Sequence, residues 1–150
     1  ENLGGYKGVK IFQQDAYAAI RAHTPPKLRR GLVLIDPPFE RDDEFDTLAG
    51  QMPHWHKRWA NGIYMIWYPI KAGIDADLAP LIAQARNWHR PLSAEFLIDN
   101  RETPGRLNGC GLLILNAPYR LDERLHMLCG ELAQLLGYGM HEHKWLRERI

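Results

Sequence analysis

Apolar residues along this chain fall into short continuous runs, separated by stretches in which they recur every three or four positions. That alternation predicts strands alternating with helices in an α/β domain. Val9 to Phe12 reads as a short strand, and Asp15 to His23 as a short helix closed by Thr24-Pro25-Pro26. Leu32 to Ile35 contains no polar residue and reads as a strand buried on both faces, as in a parallel sheet under helices. Phe45, Leu48, Met52, Trp55 and Trp59 recur at helical spacing, with Pro53 expected to kink or split the helix they mark. Ile63 to Trp67 is the next strand. Asp75 to Trp88 is the next helix, with Leu78, Leu81, Ile82, Ala85 and Trp88 on one stripe and Pro80 near its first turn. Ala94 to Ile98 and Leu112 to Leu115, joined by the polar loop Asp99 to Arg106, are expected to form an antiparallel edge pair. Leu121, Leu125, Leu128, Leu132 and Leu135 then mark an amphipathic helix, and the chain closes in a charged tail.

The run from Gly31 to Ile35 ends abruptly on Asp36-Pro37-Pro38-Phe39. In open parallel sheets ligands bind beyond the carboxyl ends of the strands, which is where Asp36 emerges. The four residues suit methylation of an amine. An exocyclic amino group on a nucleobase is a poor nucleophile, because its lone pair is delocalised into the ring, and two acceptors are needed to hold it ready for attack. Asp36 supplies a carboxylate. Pro37 supplies a carbonyl with no neighbouring amide hydrogen to compete for it, since Pro38 follows. Phe39 supplies a flat face, and stacking of a base on an aromatic ring is worth about 1 to 3 kcal/mol. The competing explanation is a strand that happens to end in a proline turn.

The motif resembles the catalytic motif of class I S-adenosylmethionine-dependent amino-methyltransferases. Three segments in order narrow the likeness: Arg29 to Phe39, Gly62 to Pro69, and Gly111 to Tyr119. Together they resemble the RlmJ-like family of 23S ribosomal RNA adenine-N6 methyltransferases, over most of the chain. The resemblance implies a Rossmann-like class I methyltransferase sheet, S-adenosylmethionine as cofactor, 23S ribosomal RNA as partner and no metal. It implies Asp36 as catalytic acid, in contact with both substrate and cofactor, and Pro37, Pro38 and Phe39 as substrate-binding residues. A solvent-exposed carboxylate is a weak base, so holding and polarising the amine is the larger effect expected of Asp36. Asp15 matches the acidic residue that takes the adenine amino group of the cofactor, and Ala16 the next position, whose backbone amide can meet the adenine ring. The family often has glycine at that second place. An Asp beyond a strand also commonly caps the following helix, which is the plainer role for Asp15.

Such a fold carries a glycine-rich turn after its first strand and an acid after its second. Neither is present: Gly109-Cys110-Gly111 precedes a strand, and Gly137-Tyr138-Gly139 lies in the tail. The chain is therefore expected to be the half carrying strands 3 to 7, a catalytic and carboxyl-terminal part of a single methyltransferase domain over residues 1–150, lacking the glycine-rich first βα unit. A companion amino-terminal segment of the same protein is expected. Without it, Val9 to Phe12 has no native neighbour, and exposed sheet edges or rearranged pairing follow.

Composition changes little. The 150 residues, 45% of them hydrophobic, suffice for one core, and a net charge of +1 leaves no broad electrostatic footprint for nucleic acid. RNA contact must then be local, with Lys27, Arg29, Arg30, Lys57, Arg58, Arg101 and Arg106 as candidates around the crevice or as plain solvated surface. Cys110 and Cys129 have no disulfide or zinc spacing, which suits a reducing cytoplasm, and no apolar stretch is long enough to cross a bilayer. Asn116-Ala117-Pro118-Tyr119 imitates an Asn-Pro-Pro-Tyr methyltransferase motif but has alanine where the acceptor proline belongs, and reads as a strand-to-helix turn. Trp67 is a candidate for the base pocket or for the core. His54-x-His56 and His141-x-His143 lack further ligands at fixed spacing and read as surface histidines. The functional expectation is methylation of the N6 amine of an adenine in 23S ribosomal RNA. The alternatives are a DNA adenine, cytosine-N4 or protein glutamine methyltransferase, or a truncated non-catalytic binding domain.

Overall fold

The computed structural model describes residues 7–28 and 30–146. Its elements run α1 (Ala16–His23), β1 (Leu32–Ile35), α2 (Glu44–Arg58), β2 (Ile63–Ile70), α3 (Ile74–Ala85), β3 (Leu92–Leu97), β4 (Gly109–Leu115), α4 (Leu121–Leu136) and β5 (Met140–Trp145). The five strands form one mixed sheet in the order β1-β2-β4-β3-β5. Only β1 and β2 are parallel, with Leu32 opposite Ile63 and Ile35 opposite Ile66. β4 runs antiparallel to both β2 and β3, and β5 antiparallel to β3. The architecture is the α/β sheet that the strand and helix alternation predicts, consistent with the Rossmann-like arrangement that the resemblance implies.

The two faces of the sheet are unequally covered. On one, α1, α2 and α3 bury Tyr64, Ile66, Tyr68 and Ile70 of β2 with Leu113 and Leu115 of β4. Tyr64 is the hub: Trp55 stacks on it at 5.9 Å, and Trp88 and Trp59 meet it edge-on at 5.1 and 6.0 Å. Gly62 is required here, since a Cβ at that position would lie 2.4 Å from the Trp59 ring. On the other face α4 contributes Leu121 and Leu125 to a smaller cluster around Leu92 and Ile114.

Several expectations are corrected. Val9 to Phe12 is irregular rather than a strand, with Ile11 61% exposed. A strand needs a partner's backbone, and Val9 to Phe12 pairs with no strand among the described residues; β1 itself pairs with β2 alone. Nor is β1 buried on both faces: Leu32 and Leu34 are 53% and 62% exposed, on the face that α4 covers only in part. β3 and β4 do pair antiparallel, but β4 is interior and β5 takes the edge. The charged tail hides that strand because His141, His143 and Trp145 point one way while Met140, Glu142 and Lys144 face solvent. Pro53 neither splits nor ends α2, whose flanking Met52 and Trp55 are fully buried and hold the helix through the missing hydrogen bond. α3 starts at Ile74, so Pro80 lies beyond its first turn, and Trp88 follows the helix but remains buried. The leucine stripe of α4 packs only at its start; Leu135 is 85% exposed.

Candidate functional site

β1 and β2 deliver their carboxyl ends to the same rim of the sheet, and Asp36 stands there, exposed, one residue beyond the Ile35–Ile66 pair. Among the described residues neither its carboxylate nor the Pro37 carbonyl is taken up by a hydrogen bond. Phe39 is half-buried, with its ring centroid 4.8 Å from Phe45 and 6.0 Å from Trp67. Its φ of 50° is left-handed, a conformation that costs a residue with a Cβ about 1 to 2 kcal/mol and that the surrounding aromatic contacts hold in place. A cavity of about 380 Å³ opens against Phe39, walled by Arg41, Asp42, Phe45, Pro69, Lys71 and Asp77 among others. Trp67 is half-buried beside this motif, in ring contact with Phe39.

Asp15 caps α1, its Oδ1 accepting from the Ala18 amide at 2.7 Å. The Tyr17 hydroxyl donates to the buried Glu44 carboxylate at the first residue of α2. Burial pushes the Tyr17 hydroxyl well above the usual phenol range, and the Glu44 charge adds to it. At its other end α1 meets the start of β1, where Thr24 accepts from Arg58 Nε at 2.7 Å. α1 therefore runs opposite to β1, and its amino terminus, with Asp15 and the Ala16 amide, reaches the same rim as Asp36.

The Asn116 segment goes elsewhere. Because β4 is antiparallel to β2, its carboxyl end lies at the opposite rim. Asn116 Nδ2 donates to the Ala60 and Gly62 carbonyls at 2.7 and 2.6 Å, and Arg90 Nε to the buried Ala117 carbonyl at 2.9 Å. Both side chains close loops of the fold.

A family description, ribosomal RNA large subunit methyltransferase D, RlmJ, matches residues 1–147. The chain belongs to the RlmJ family. It is 28% identical to the ribosomal RNA large subunit methyltransferase J of Haemophilus influenzae, over 97% of this chain and 53% of that protein. To the protein of the same description from Escherichia coli it is 26% identical, over 78% of this chain and 42% of the relative. The chain thus spans about half the length of these RlmJ relatives. Its fold superposes on a crystal structure from Legionella pneumophila with a TM-score of 0.76 at 23% identity, covering 88% of this chain and 49% of that one.

The cations of this RlmJ-family chain do not gather around the rim as a group. Lys27, Arg30, Lys57 and Arg58 lie towards the far end, where α1 and α2 finish and β1 begins. Arg29 lies outside the described residues. Arg101 reaches the correct end but is held by Glu95 and Asp75, each at 2.5 Å, and Arg106 by Asp99 at 3.0 Å. The histidines are less superficial than their spacing suggests: His56 packs edge-on against Trp88 at 4.7 Å, and His141 approaches His126 of α4 at 3.4 Å. Among the described residues no group of three or more potential ligands has metal-binding geometry, and both cysteines are free thiols. No described helix is long and apolar enough to cross a membrane. Two residues at this end of the sheet escape sequence reading, Tyr17 and Lys71. The first is an aromatic in a short helix facing an acid 27 positions on; the second is a lysine placed directly after a strand end.

Proposed function

We propose that this chain is the acceptor-holding part of a single S-adenosylmethionine-dependent methyltransferase domain, acting on the N6 amine of an adenine in 23S ribosomal RNA. The observation that carries the reading is the exposed Asp36 carboxylate at the carboxyl end of β1, followed by the uncommitted Pro37 carbonyl and by Phe39 in its strained, aromatic-flanked position. The names of the relatives agree in assigning methylation of large-subunit ribosomal RNA to those proteins.

The target base leaves its stack and lies against Phe39, where stacking of about 1 to 3 kcal/mol offsets part of the cost of unstacking. Asp36 and the Pro37 carbonyl accept from the two amine hydrogens, localising the lone pair on nitrogen. Asp36 also accommodates the positive charge that develops there and takes the released proton or passes it to water. Pro38, without an amide hydrogen, keeps the Pro37 carbonyl available and limits the turn to few conformations.

The residues at the rim fit the cofactor's chemistry. Asp15 keeps a second carboxylate oxygen beyond the one used in capping, and the Ala16 amide is a first-turn donor without an intrahelical acceptor. These would hold the adenine moiety, with Asp36 nearby as a counter-charge. When bound, the cofactor supplies an electrophilic methyl group on a sulfonium. The test is methyl transfer by the whole enzyme to stripped 23S ribosomal RNA, duplex DNA and a glutamine peptide. Transfer to the RNA alone, mapped to an adenine N6, is expected; transfer to DNA or peptide instead would replace the substrate, and wild-type-like turnover of Asp36→Ala would remove the mechanism.

A further inference from the structure

Among the described residues, Arg41, Lys71, Arg101 and Arg106 follow the carboxyl ends of β1, β2 and β3, and the three arginines are already engaged. Arg41 makes a two-pronged contact with Asp43, at 2.8 and 2.6 Å; Arg101 is spent on Glu95 and Asp75, and Arg106 on Asp99. Lys71 alone, among the described cations at this rim, has neither a carboxylate nor a hydrogen-bond acceptor for its ammonium. It is exposed and lines the same cavity as Phe39. Its backbone is fixed from both sides: the Ile70 carbonyl accepts from Asn108 at 2.8 Å, the Lys71 carbonyl from Ile74 at 3.2 Å, and the Gly73 amide donates to Glu102 at 3.1 Å. A flexible stem thus rises from a rigid turn beside the aromatic face.

We infer that Lys71 is a positioning residue that binds a phosphodiester of the nucleotide whose base lies on Phe39. The inference rests on the proposed RNA substrate and adds the point at which its backbone is held. The phosphate of a nucleotide lies within a lysine's reach of its base, and an ammonium without a carboxylate partner gives up no existing ion pair to receive it. Asp42 and Asp77 line the same cavity. Their charges oppose the approach of a second phosphate, so the subsite accepts one, entered from the Lys71 side. Arg41, neutralised by Asp43, cannot substitute.

Steady-state methylation of stripped 23S ribosomal RNA by the whole enzyme tests this, with RNA and cofactor titrated separately over a range of salt. Lys71→Ala is expected to raise KM for RNA about tenfold at unchanged kcat and unchanged cofactor affinity. The log–log salt slope should flatten by about 0.7, the value for one single-strand phosphate contact. Lys71→Arg should restore most of the affinity, and Asp77→Asn should lower KM for RNA. An unaltered KM and salt slope in Lys71→Ala overturns the subsite. So does a loss confined to cofactor binding, which would place the cofactor's carboxylate there. Either result leaves the methyltransferase reading standing, because that reading is tested separately, by the substrate transferred to and by the turnover of Asp36→Ala.

Discussion

Two segments of this chain share one design, an apolar strand running into a polar side chain, proline and an aromatic ring, and the fold sends them to opposite ends of the sheet. Asp36-Pro37-Pro38-Phe39 ends a strand parallel to its neighbour and presents a carboxylate and a carbonyl that nothing in the described chain consumes. Asn116-Ala117-Pro118-Tyr119 ends a strand running the other way. Its amide is committed to two backbone carbonyls at 2.7 and 2.6 Å, and its alanine is buried. Both segments contain a left-handed residue, Phe39 with φ 50° and Asn116 with φ 57°. Asparagine tolerates that conformation because its short side chain can bond locally, whereas phenylalanine adopts it at a cost. Strain at the first segment therefore accompanies unspent hydrogen-bonding capacity, and ease at the second accompanies an amide nitrogen bonded twice. Strand direction, which neither segment encodes, decides the rim that each reaches.

The contrast predicts that substitutions at the first segment alter chemistry and those at the second alter stability. The largest effect is expected for Asp36→Ala in the whole enzyme: turnover falls on the order of 10²- to 10⁴-fold with cofactor affinity largely retained, as read by single-turnover kinetics and calorimetry. Asn116→Ala in the same assays should keep its turnover per folded molecule. If the two variants lost turnover equally, the distinction drawn from strand direction would be wrong. Phe39→Ala removes the stacking face, and a loss of about 1 to 3 kcal/mol in transition-state binding should appear in kcat/KM. Phe39→Tyr should stay close to the parent.

Asn116→Ala leaves the Ala60 and Gly62 carbonyls without their donor, and denaturant unfolding should show a loss of about 1 to 3 kcal/mol. The smallest effect is expected at Asp15. Removing the cap of α1 by Asp15→Ala should cost about 1 kcal/mol in stability. A fall in cofactor affinity beyond what that destabilisation explains would separate a binding role from capping, and Asp15→Asn, which retains the cap, sharpens the distinction.

Most of the elements were legible because their hydrophobic periods are local. Phe45, Leu48, Met52 and Trp55 announce α2, and the β2 run is continuous. Failures came where tertiary partners decide the outcome. Val9 to Phe12 has strand composition but pairs with no described strand, and Met140–Trp145 has a neighbour despite its charges. Prolines at 53 and 80 survive within helices because buried residues on either side anchor them. Residue types carried the place of Asp36 at a strand end and the capping role of Asp15. What they could not carry is arithmetic between distant residues: that Arg41, Arg101 and Arg106 would already be paired while Lys71 stayed open, or that Tyr17 would reach across to Glu44 and pin the end of α1 to the rim.

The outer border of β1 is adhesive, with two leucines facing water and backbone donors and acceptors that no other described strand answers. Concentrated preparations of these 150 residues alone should stick border to border, and a lysine in place of Leu34 should keep them apart. Zipped to one more strand, the same border would become an inner seam, and the acid at its tip would sit in a crevice between neighbours instead of on an open ledge.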